Sequence, residues 1–369
     1  MPPQKIDTHL HIITPLFTRV ARSLSPASGG TAGQVVPSWS PSLAIQFMDK
    51  YGIKKGLMSF TSPGPLEGGK GVVREGNVGM RDIADYDEEE EKGKGEKKGK
   101  SERRFGWFAS LPDWDAEEGV GPVIEEIEWA LGEAGADGVS VMTSYGDKRV
   151  SPSSCFGFPG HEKFRPIWEK LDEMGAIVQV HPTQVQVTPR YIASEVAQPI
   201  LDYTLATTRA ATDLILTGTM SRYTNLKIIL SHTGGTFPYI AERIITQAPD
   251  FDMSKDECRR AIRRFYAETA MSTSKAQLMA VTAILPPDHL LWGSDWPYNP
   301  ESDIQGSIDE LDEYINGGCI CGVGHPDQDM SDVKGEDGVG AAGRKALVGI
   351  WADNAEKLFG WGKYAVEKK

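Results

Sequence analysis

Five polar side chains close short apolar runs at widely separated places in the sequence. His9 and His11 form an HxH pair in DTHLHI, His181 ends IVQVH, His232 ends IILSH, and Asp295 follows LLWGS. Imidazole nitrogen and carboxylate oxygen are donors that bind zinc, manganese and iron. If these side chains meet in space, the sequence predicts a metal centre.

Each of these residues also has an ordinary structural interpretation. An isolated HxH pair can lie on an exposed edge strand, and a single buried histidine is commonly a hydrogen-bonded core residue. Residues two apart in a strand project to the same side, however, so His9 and His11 can face one ion. Four histidines and an aspartate, all at the ends of apolar runs, favour the metal interpretation.

The donor types indicate a single divalent ion, with zinc the first choice and manganese an alternative. A second metal would normally need a bridging ligand such as a carbamylated lysine, and the fourth apolar run, GVSVMTS, contains no lysine. The other histidines are interpreted as non-ligands: His161, His289 and His325.

Strand-length apolar runs alternate with helix-length amphipathic segments, and these elements must position the five groups. The predicted strands are Ile6–Ile13, Gly56–Thr61, Phe105–Leu111, Gly138–Thr143, Ala176–His181, Leu226–His232, Phe265–Ala270 and Leu290–Asp295. The predicted helices are Leu43–Lys50, Pro122–Ala134, Lys163–Met174, Gln198–Tyr223, Phe237–Ile245, Lys275–Ile284, Asp303–Tyr314 and Arg344–Phe359.

This alternation indicates an α/β protein with a parallel sheet covered by helices, and eight units favour a closed (β/α)8 TIM barrel. All the polar strand ends would then lie at one face of the barrel. A doubly wound open sheet is the competing fold, but the glycine fingerprint of dinucleotide binding is missing after the first strand.

The 369 residues are expected to form one barrel with two long loop insertions. Residues 82–104 contain EEEEKGKGEKKGK, a charged segment without apolar periodicity that is expected to be a flexible, solvated insertion. Residues 317–343 form a Gly/Asp-rich loop after the eighth strand, on the face where the active site would open. Residues 344–361 are expected to form the C-terminal helix.

The overall charge of −13 disfavours nucleic acid and anionic membranes as partners. The sequence shows no secretory signal and no apolar run long enough for a membrane span, and its mean hydropathy is −0.34. Four cysteines fit a reducing compartment, so a cytoplasmic enzyme is expected. Cys319 and Cys321 are either part of an ordinary loop or ligands for a soft metal.

The motifs together resemble the amidohydrolase superfamily, through DTHLHI, VHPT, SHTGG and GSDWPY, over nearly the whole chain. Within it the chain is similar to the aminocarboxymuconate-semialdehyde decarboxylase branch, through HTGGTFPYIAERI and the closing NAEKLFG. Members of this branch are mostly metal-dependent decarboxylases without an organic cofactor. The resemblance therefore implies a carboxy-lyase.

The resemblance also assigns roles to individual residues. It assigns the role of metal ligand to His9, His11, His181 and Asp295. His232 becomes the acid/base histidine beside the metal, and Tyr298 lines the substrate pocket. Arg243 matches an arginine that reaches the neighbouring subunit's site, which implies a homodimer.

One position departs from the branch pattern. The namesake enzyme has a carboxylate-binding arginine before its second strand, and Ala44 occupies that place in SPSLAIQFMD. A monocarboxylic substrate is therefore favoured. With PSWSPSLAIQFMDKYGI, RRFGWFASLP and TTRAATDLILTG, the chain is most similar to the 6-methylsalicylate decarboxylases.

The expected activity is decarboxylation of a small salicylate-type aromatic acid. In one route Asp295 protonates the ring carbon and His232 orients or reloads it; in the other, metal-bound hydroxide and His232 start the reaction. Arg209 either pairs with a carboxylate or lies on a helix surface, and Trp296 either lines the pocket or packs in the core.

The main alternative is a hydrolase that opens a lactone or amide at the same site. A barrel that only binds ligands is a third possibility, which the complete donor set disfavours.

Overall fold

The computed structural model describes residues 4–24, 35–62, 69–85, 103–145, 157–184, 193, 196–316 and 347–361. In these residues the chain forms eight parallel strands that neighbour one another in sequence order, each followed by helical segments. The strands are β1 (Lys5–His11), β2 (Ile53–Ser59), β3 (Phe105–Ser110), β4 (Gly138–Met142), β5 (Ile177–His181), β6 (Lys227–Leu230), β7 (Tyr266–Glu268) and β8 (Leu290–Leu291). The predicted TIM barrel is confirmed.

Main-chain hydrogen bonds between β1 and the segment after β8 close the barrel. Thr8 N donates to Trp292 O over 2.9 Å, and Asp295 N donates to His9 O over 2.9 Å. His11 N donates to Trp296 O over 2.8 Å. The closure therefore joins the segment that carries the histidine pair to the segment that carries Asp295.

Helices cover the outside of the barrel. They are α1 (Pro15–Leu24), α2 (Pro41–Tyr51), α3 (Gly69–Ala84), α4 (Gly121–Ile127), α5 (Arg165–Glu173), α6 (Gln198–Leu216), α7 (Thr219–Arg222), α8 (Phe237–Gln247), α9 (Lys255–Ile262), α10 (Lys275–Thr282), α11 (Glu301–Asn316) and α12 (Asp353–Phe359). A π-helical turn, Glu128–Glu133, continues α4. Local signals fix several ends: Ser40 caps α2 by accepting from Leu43 N, and Gly52 ends it with φ +67°.

Several elements differ from the sequence prediction, and helices α1 and α9 were not predicted. The single helix expected over 198–223 is broken into α6 and α7, because Gly218 adopts φ +74° between them. Helix α3 was not predicted, and its last turn includes Asp82, the first residue assigned to the charged insertion. β8 is a two-residue strand rather than a six-residue one, since the backbone turns towards Asp295, which has φ +61°.

The core lies both inside the barrel and between the strands and the helices. A large cluster joins the helices to the outer faces of the strands. A smaller cluster contains Ile6, Leu57, Phe108, Ile229, Leu291, Ala355 and Trp361. Its strand residues precede the polar strand ends by a few positions, so this apolar cluster packs inside the barrel, next to the end where the polar side chains lie.

Some predicted segments lie wholly or partly outside the described residues. These are 86–102 of the charged insertion, all of the 317–343 loop, and 344–346 of the C-terminal segment. The described part of the C-terminal segment forms a short 3-10 turn, Gly349–Trp351, followed by α12, rather than one helix. Among the helices that the structure describes, none has the length and apolar character that crossing a bilayer requires.

Asn77 offers a direct test of this packing. Its buried amide donates to Ser110 O and Glu126 Oε1, at 2.8 and 2.7 Å, and accepts from Ser110 N at 2.9 Å. Asn77→Leu removes these three buried hydrogen bonds, so the free energy of unfolding should fall by about 3 kcal/mol in urea denaturation. The exposed Gln305→Leu is the control and should change it by less than about 0.5 kcal/mol. Equal effects of the two variants would contradict this account.

Candidate metal centre

The rings of His9 and His11 face each other at the end of β1. Their Nε2 atoms are 3.0 Å apart, and both side chains are buried. His11 Nδ1 lies 3.1 Å from the carbonyl oxygen of Ser59, and His9 Nδ1 lies 2.8 Å from Glu268 Oε1. A carbonyl or carboxylate oxygen can only accept, so both Nδ1 atoms carry protons. Both Nε2 atoms therefore point towards one another, where their lone pairs repel unless a cation or proton lies between them.

His181 is held in the same way from β5. Its Nδ1 donates to the carbonyl oxygen of Pro182 over 2.8 Å. The donor atoms of His9, His11 and His181 lie within 4.8 Å of one another. Burial, with His11 and His9 close by, holds the pKa of His181 well below its usual value, so this imidazole is neutral. Its Nε2 is therefore available as a ligand.

Asp295 completes the donor set. Its Oδ1 lies 3.0 Å from His11 Nε2 and 3.4 Å from His9 Nε2. Burial would raise the pKa of Asp295, but the close contact with His11 and the charge of His9 hold it below its usual value. The Asp295 carboxylate thus lies next to the His9–His11 pair, which also has His181 within 4.8 Å, whereas His9, His232 and Asp295 form a second group with the same spacing. Imidazole nitrogens with a carboxylate oxygen are donors that suit a zinc or manganese ion.

The ionisation of His9 is consistent with a cation at this position. Burial opposes its charge, but Glu268, Asp295 and Asp7 raise the pKa of His9 to about 9. In the metal-free chain His9 therefore carries a second proton, on Nε2, and donates it to the lone pair of His11 Nε2. Binding of a divalent ion must displace that proton, as is general for histidine ligands.

His232 lies beside this set. A donor atom of its half-buried ring is within 4.8 Å of donor atoms of His9 and Asp295. Its ring centroid is 5.0 Å from that of His9. Burial lowers the pKa of His232, although Glu268 and Asp295 act in the opposite direction. A neutral imidazole in this position can accept and return a proton.

The backbone at the site adopts conformations that most residues avoid. His232, Thr233 and Asp295 have φ of +55°, +54° and +61°. Such conformations cost roughly 1–3 kcal/mol each for residues other than glycine. Hydrogen bonds hold them: Glu268 Oε1 accepts from His232 N over 2.6 Å, and Asp295 N donates to His9 O over 2.9 Å.

Asp7 connects β1 to the segment after β8. Its Oδ1 accepts from His9 N and from Ser294 N, both over 3.0 Å, and its Oδ2 accepts from Ser294 Oγ over 2.5 Å. Burial raises the pKa of Asp7 to about 7 against the effect of these donors. By binding Ser294, Asp7 fixes the position of Asp295, the residue after Ser294, relative to the histidine pair.

Glu268 was not identified from the sequence. It ends β7, is fully buried, and accepts from His9 Nδ1, His232 N and Ala270 N. Burial would raise the pKa of Glu268, but His9 holds it below its usual value, so it is a carboxylate. The sequence did contain a signal, because a glutamate in the apolar run of FYAETA follows the same pattern as the other polar strand ends.

Aromatic side chains lie next to the donor set. The ring centroid of Tyr298 is 5.5 Å from that of His11. Its hydroxyl is buried, and no described group hydrogen-bonds to it. Burial raises the pKa of Tyr298, and Asp295 adds to this effect, so the phenol is neutral. Tyr203, whose pKa burial also raises, hydrogen-bonds to Ser62 and is close enough for its charge to affect Tyr298.

The other candidate residues lie elsewhere. Trp296 stacks on Phe47, with ring centroids 5.0 Å apart, and is part of the large core cluster. Arg209 is exposed and lies over the ring of Phe158 at 4.7 Å, and Arg243 is exposed on α8. Among the contacts described, none joins either arginine to the histidines of this chain.

Of the histidines interpreted as non-ligands, two lie in the described residues. His161 is exposed and accepts from Lys163 N, and His289 stacks on Tyr266 with centroids 4.0 Å apart. His325, Cys319 and Cys321 lie outside the described residues. Ala44 is fully buried in α2.

Comparisons with known proteins agree with this architecture. The family model described as "Amidohydrolase" matches residues 6–361. The chain is 31% identical to "Decarboxylase macB" of Penicillium terrestre, over 84% of this chain and 89% of the relative. It is 32% identical to "6-methylsalicylic acid decarboxylase" of Penicillium expansum, over 84% of this chain and 90% of the relative.

A solved structure has the same fold. It is a dihydroxybenzoic acid decarboxylase from Polaromonas sp. JS666, described with bound manganese and the inhibitor 2-nitroresorcinol. It superposes with a TM-score of 0.70 at 18% identity, over 98% of this chain and 99% of that one.

Metal addition tests the donor set. Zinc or manganese added to chelator-treated protein should raise the free energy of unfolding by about 2.7 kcal/mol at a free metal concentration 100 times Kd. His11→Ala should remove most of this gain, measured as the shift in thermal denaturation. His161→Ala, at an exposed histidine, is the control and should keep it. The donor set is wrong if His11→Ala responds to metal as strongly as the unchanged chain.

Proposed function

The chain belongs to the amidohydrolase family, and on that premise we propose that it is a metal-dependent, non-oxidative decarboxylase of a small salicylate-type aromatic acid such as 6-methylsalicylate. Its relatives of about 32% identity are decarboxylases. The observation that carries the proposal is the convergence of three imidazole Nε2 atoms, each fixed by an acceptor on its Nδ1, with Asp295 beside them.

In this proposal the ion is held by His9, His11, His181 and Asp295. A divalent ion there would supply Lewis-acid chemistry for the substrate. The nitrogen-rich set favours zinc, and the bound manganese of the Polaromonas structure supports manganese as the alternative. No organic cofactor is part of the proposal.

Asp295 is the proposed proton carrier to the ring. Direct loss of CO2 from an arene would leave an aryl carbanion, so the ring carbon that bears the carboxylate must be protonated first. The lowered pKa of Asp295 makes it a carboxylate before substrate binds, and it can take the proton of the ortho hydroxyl. It then delivers that proton to the ring carbon, and the carbon–carboxyl bond breaks as its electrons return to the ring.

His232 is the proposed source of the second proton. Loss of CO2 leaves the phenol oxygen one proton short, and the overall reaction takes up one proton from solvent. The ring of His232 is half-buried and near Asp295, and its lowered pKa lets it release a proton readily. It therefore suits transfer of a proton from water to the product or to Asp295.

The uncharged side chains next to the donor set favour an aromatic substrate that carries no second charge. Tyr298 and Tyr203 offer uncharged hydroxyls next to the donor set. Ala44, at the position of the branch's carboxylate-binding arginine, is buried and apolar. A substrate with one carboxylate is therefore proposed. Tyr298 is the proposed substrate contact. Trp296 packs on Phe47 in the core and Arg209 is exposed on α6, so neither is proposed to contact the substrate.

A homodimer is proposed on the basis of the surface beside His232. Ile200 and Tyr239 are 69% and 89% exposed, on the neighbouring helices α6 and α8. Leu201 and Leu205 are also exposed on α6, and Arg243 lies one turn after Tyr239. A second copy would cover this apolar surface and could bring its Arg243 to the site. A cytoplasmic location stays a prediction.

Release of CO2 tests the reaction. The zinc- or manganese-loaded protein should convert 6-methylsalicylate or salicylate to the corresponding phenol and CO2 in equal amounts, measured by chromatography and a coupled CO2 assay. The 4-hydroxybenzoate isomer should not react, because its hydroxyl is not adjacent to the carboxylate. Cleavage of aryl esters or lactones without CO2 release would instead support the hydrolase alternative.

Asp295→Asn tests the proton step. An amide cannot carry the proton, so kcat should fall roughly 100- to 10,000-fold, measured at saturating metal with the bound metal quantified. Asp213→Asn is a matched control, because Asp213 is a half-buried aspartate that accepts from Gly160 N away from the site. Turnover by Asp295→Asn comparable with that of the control would exclude the proposed route.

A further inference from the structure

We infer that Glu268 is a positioning residue that fixes both the metal-binding face of His9 and the backbone of His232. This inference rests on the proposed metal centre. Glu268 lies at the end of β7 and is fully buried. Its two oxygens contact groups from β1, from the turn after β6, and from its own strand end.

Three N–H groups converge on this carboxylate. Its Oε1 accepts from His9 Nδ1 over 2.8 Å and from His232 N over 2.6 Å. Its Oε2 accepts from Ala270 N over 2.6 Å. One oxygen atom therefore holds both the proposed metal ligand and the proposed acid/base residue, which are otherwise 223 positions apart in the chain.

The contact with His9 determines which ring nitrogen faces the ion. A carboxylate at Nδ1 keeps the proton there and leaves the Nε2 lone pair directed at His11 and Asp295. Outer carboxylates of this kind commonly raise the basicity of a histidine ligand and fix its ring orientation. For His9, Glu268 meets both conditions.

The contact with His232 supports a strained backbone. His232 and Thr233 both have positive φ, and the N–H of His232 points to Glu268. Thr233 is β-branched, for which this conformation is particularly unfavourable. Without the short hydrogen bond to a buried charge, the turn would relax and move the imidazole away from Asp295.

Gly293 provides a second, independent observation. A Cβ at this position would lie 2.5 Å from Glu268 Oε2 and 2.7 Å from the Cβ of His9. Its φ is not in the left-handed region, so the glycine is required for space rather than for backbone conformation. The chain thus keeps room for the carboxylate where it passes behind His9.

An amide cannot replace this carboxylate. Glutamine offers one acceptor oxygen and one donor nitrogen, whereas all three neighbours are donors. If the glutamine NH2 takes the place of Oε2, it faces the N–H of Ala270, and two donors oppose each other. If the NH2 takes the place of Oε1, it faces His9 Nδ1 and favours the His9 tautomer that has its proton on Nε2.

Glu126 is the matched control for Glu268. It is also a buried glutamate that joins separate elements, since it accepts from Arg74 Nε and Asn77 Nδ2, both at 2.7 Å. It lies on α4, outside the strand ends that form the site. Glu126→Gln therefore measures the general cost of altering a buried bridging carboxylate.

The experiment compares Glu268→Gln, Gly293→Ala and Glu126→Gln with the unchanged chain. Zinc Kd is measured by chelator competition, and 15N-labelled histidine reports the Nδ1 proton of His9 in metal-free and zinc-loaded protein. Glu268→Gln and Gly293→Ala should weaken zinc binding roughly 10- to 100-fold and shift or remove the hydrogen-bonded Nδ1 signal. Glu126→Gln should lower stability to urea but leave Kd within about twofold.

The outcomes separate this inference from the proposed function. If Glu268→Gln and Gly293→Ala bind zinc within about twofold of the unchanged chain, and the Nδ1 signal is unaltered, the positioning role is overturned. If the unchanged chain binds no divalent ion, the proposed metal centre fails, and the metal-free Nδ1 signal alone decides the role of Glu268. Should Glu268→Gln not fold, Gly293→Ala decides, because it changes no polar group.

Discussion

The arrangement depends on two imidazole nitrogens held 3.0 Å apart, those of His9 and His11, with their lone pairs directed at each other. This contact is unfavourable for two neutral imidazoles. It is maintained because Nδ1 of each ring donates to a buried acceptor, Glu268 Oε1 for His9 and Ser59 O for His11. The closed barrel then prevents either ring from moving away, so the repulsion must be relieved by a positive charge between them.

The neighbouring features follow from this constraint. Asp295 must reach the same point from the other side of the barrel closure, and Asp7 holds its segment through Ser294 N and Oγ. The left-handed backbone at Asp295 and His232 turns both side chains into the site just beyond the strands. Strained backbone at both positions, each with a specific hydrogen bond that offsets the strain, is typical of functional sites.

Much of this could be predicted from the sequence, for a physical reason. His181, His232 and Asp295 follow apolar runs, and parallel strands of a barrel all end at one face, so the residues that the structure brings together were identifiable. Glu268 lies in the predicted seventh strand, but it was missed because that strand was predicted to end at Ala270, two residues later, and because glutamate is usually exposed. The break at Gly218 was missed because a single glycine is tolerated in many helices.

Charge balance explains how such a centre favours loss of CO2. The lowered pKa values of Glu268 and Asp295 give two negative charges, which a divalent ion would offset, while His181 and His232 are neutral. A monoanionic acid then brings one uncompensated charge into a buried site, which is unfavourable in a low dielectric. Transfer of the hydroxyl proton to the ring and departure of neutral CO2 move that charge to the phenol oxygen. The proton taken up from solvent then neutralises it, and the phenol that remains leaves the centre balanced. A second carboxylate would double the uncompensated charge, and Ala44 offers no cation to offset it.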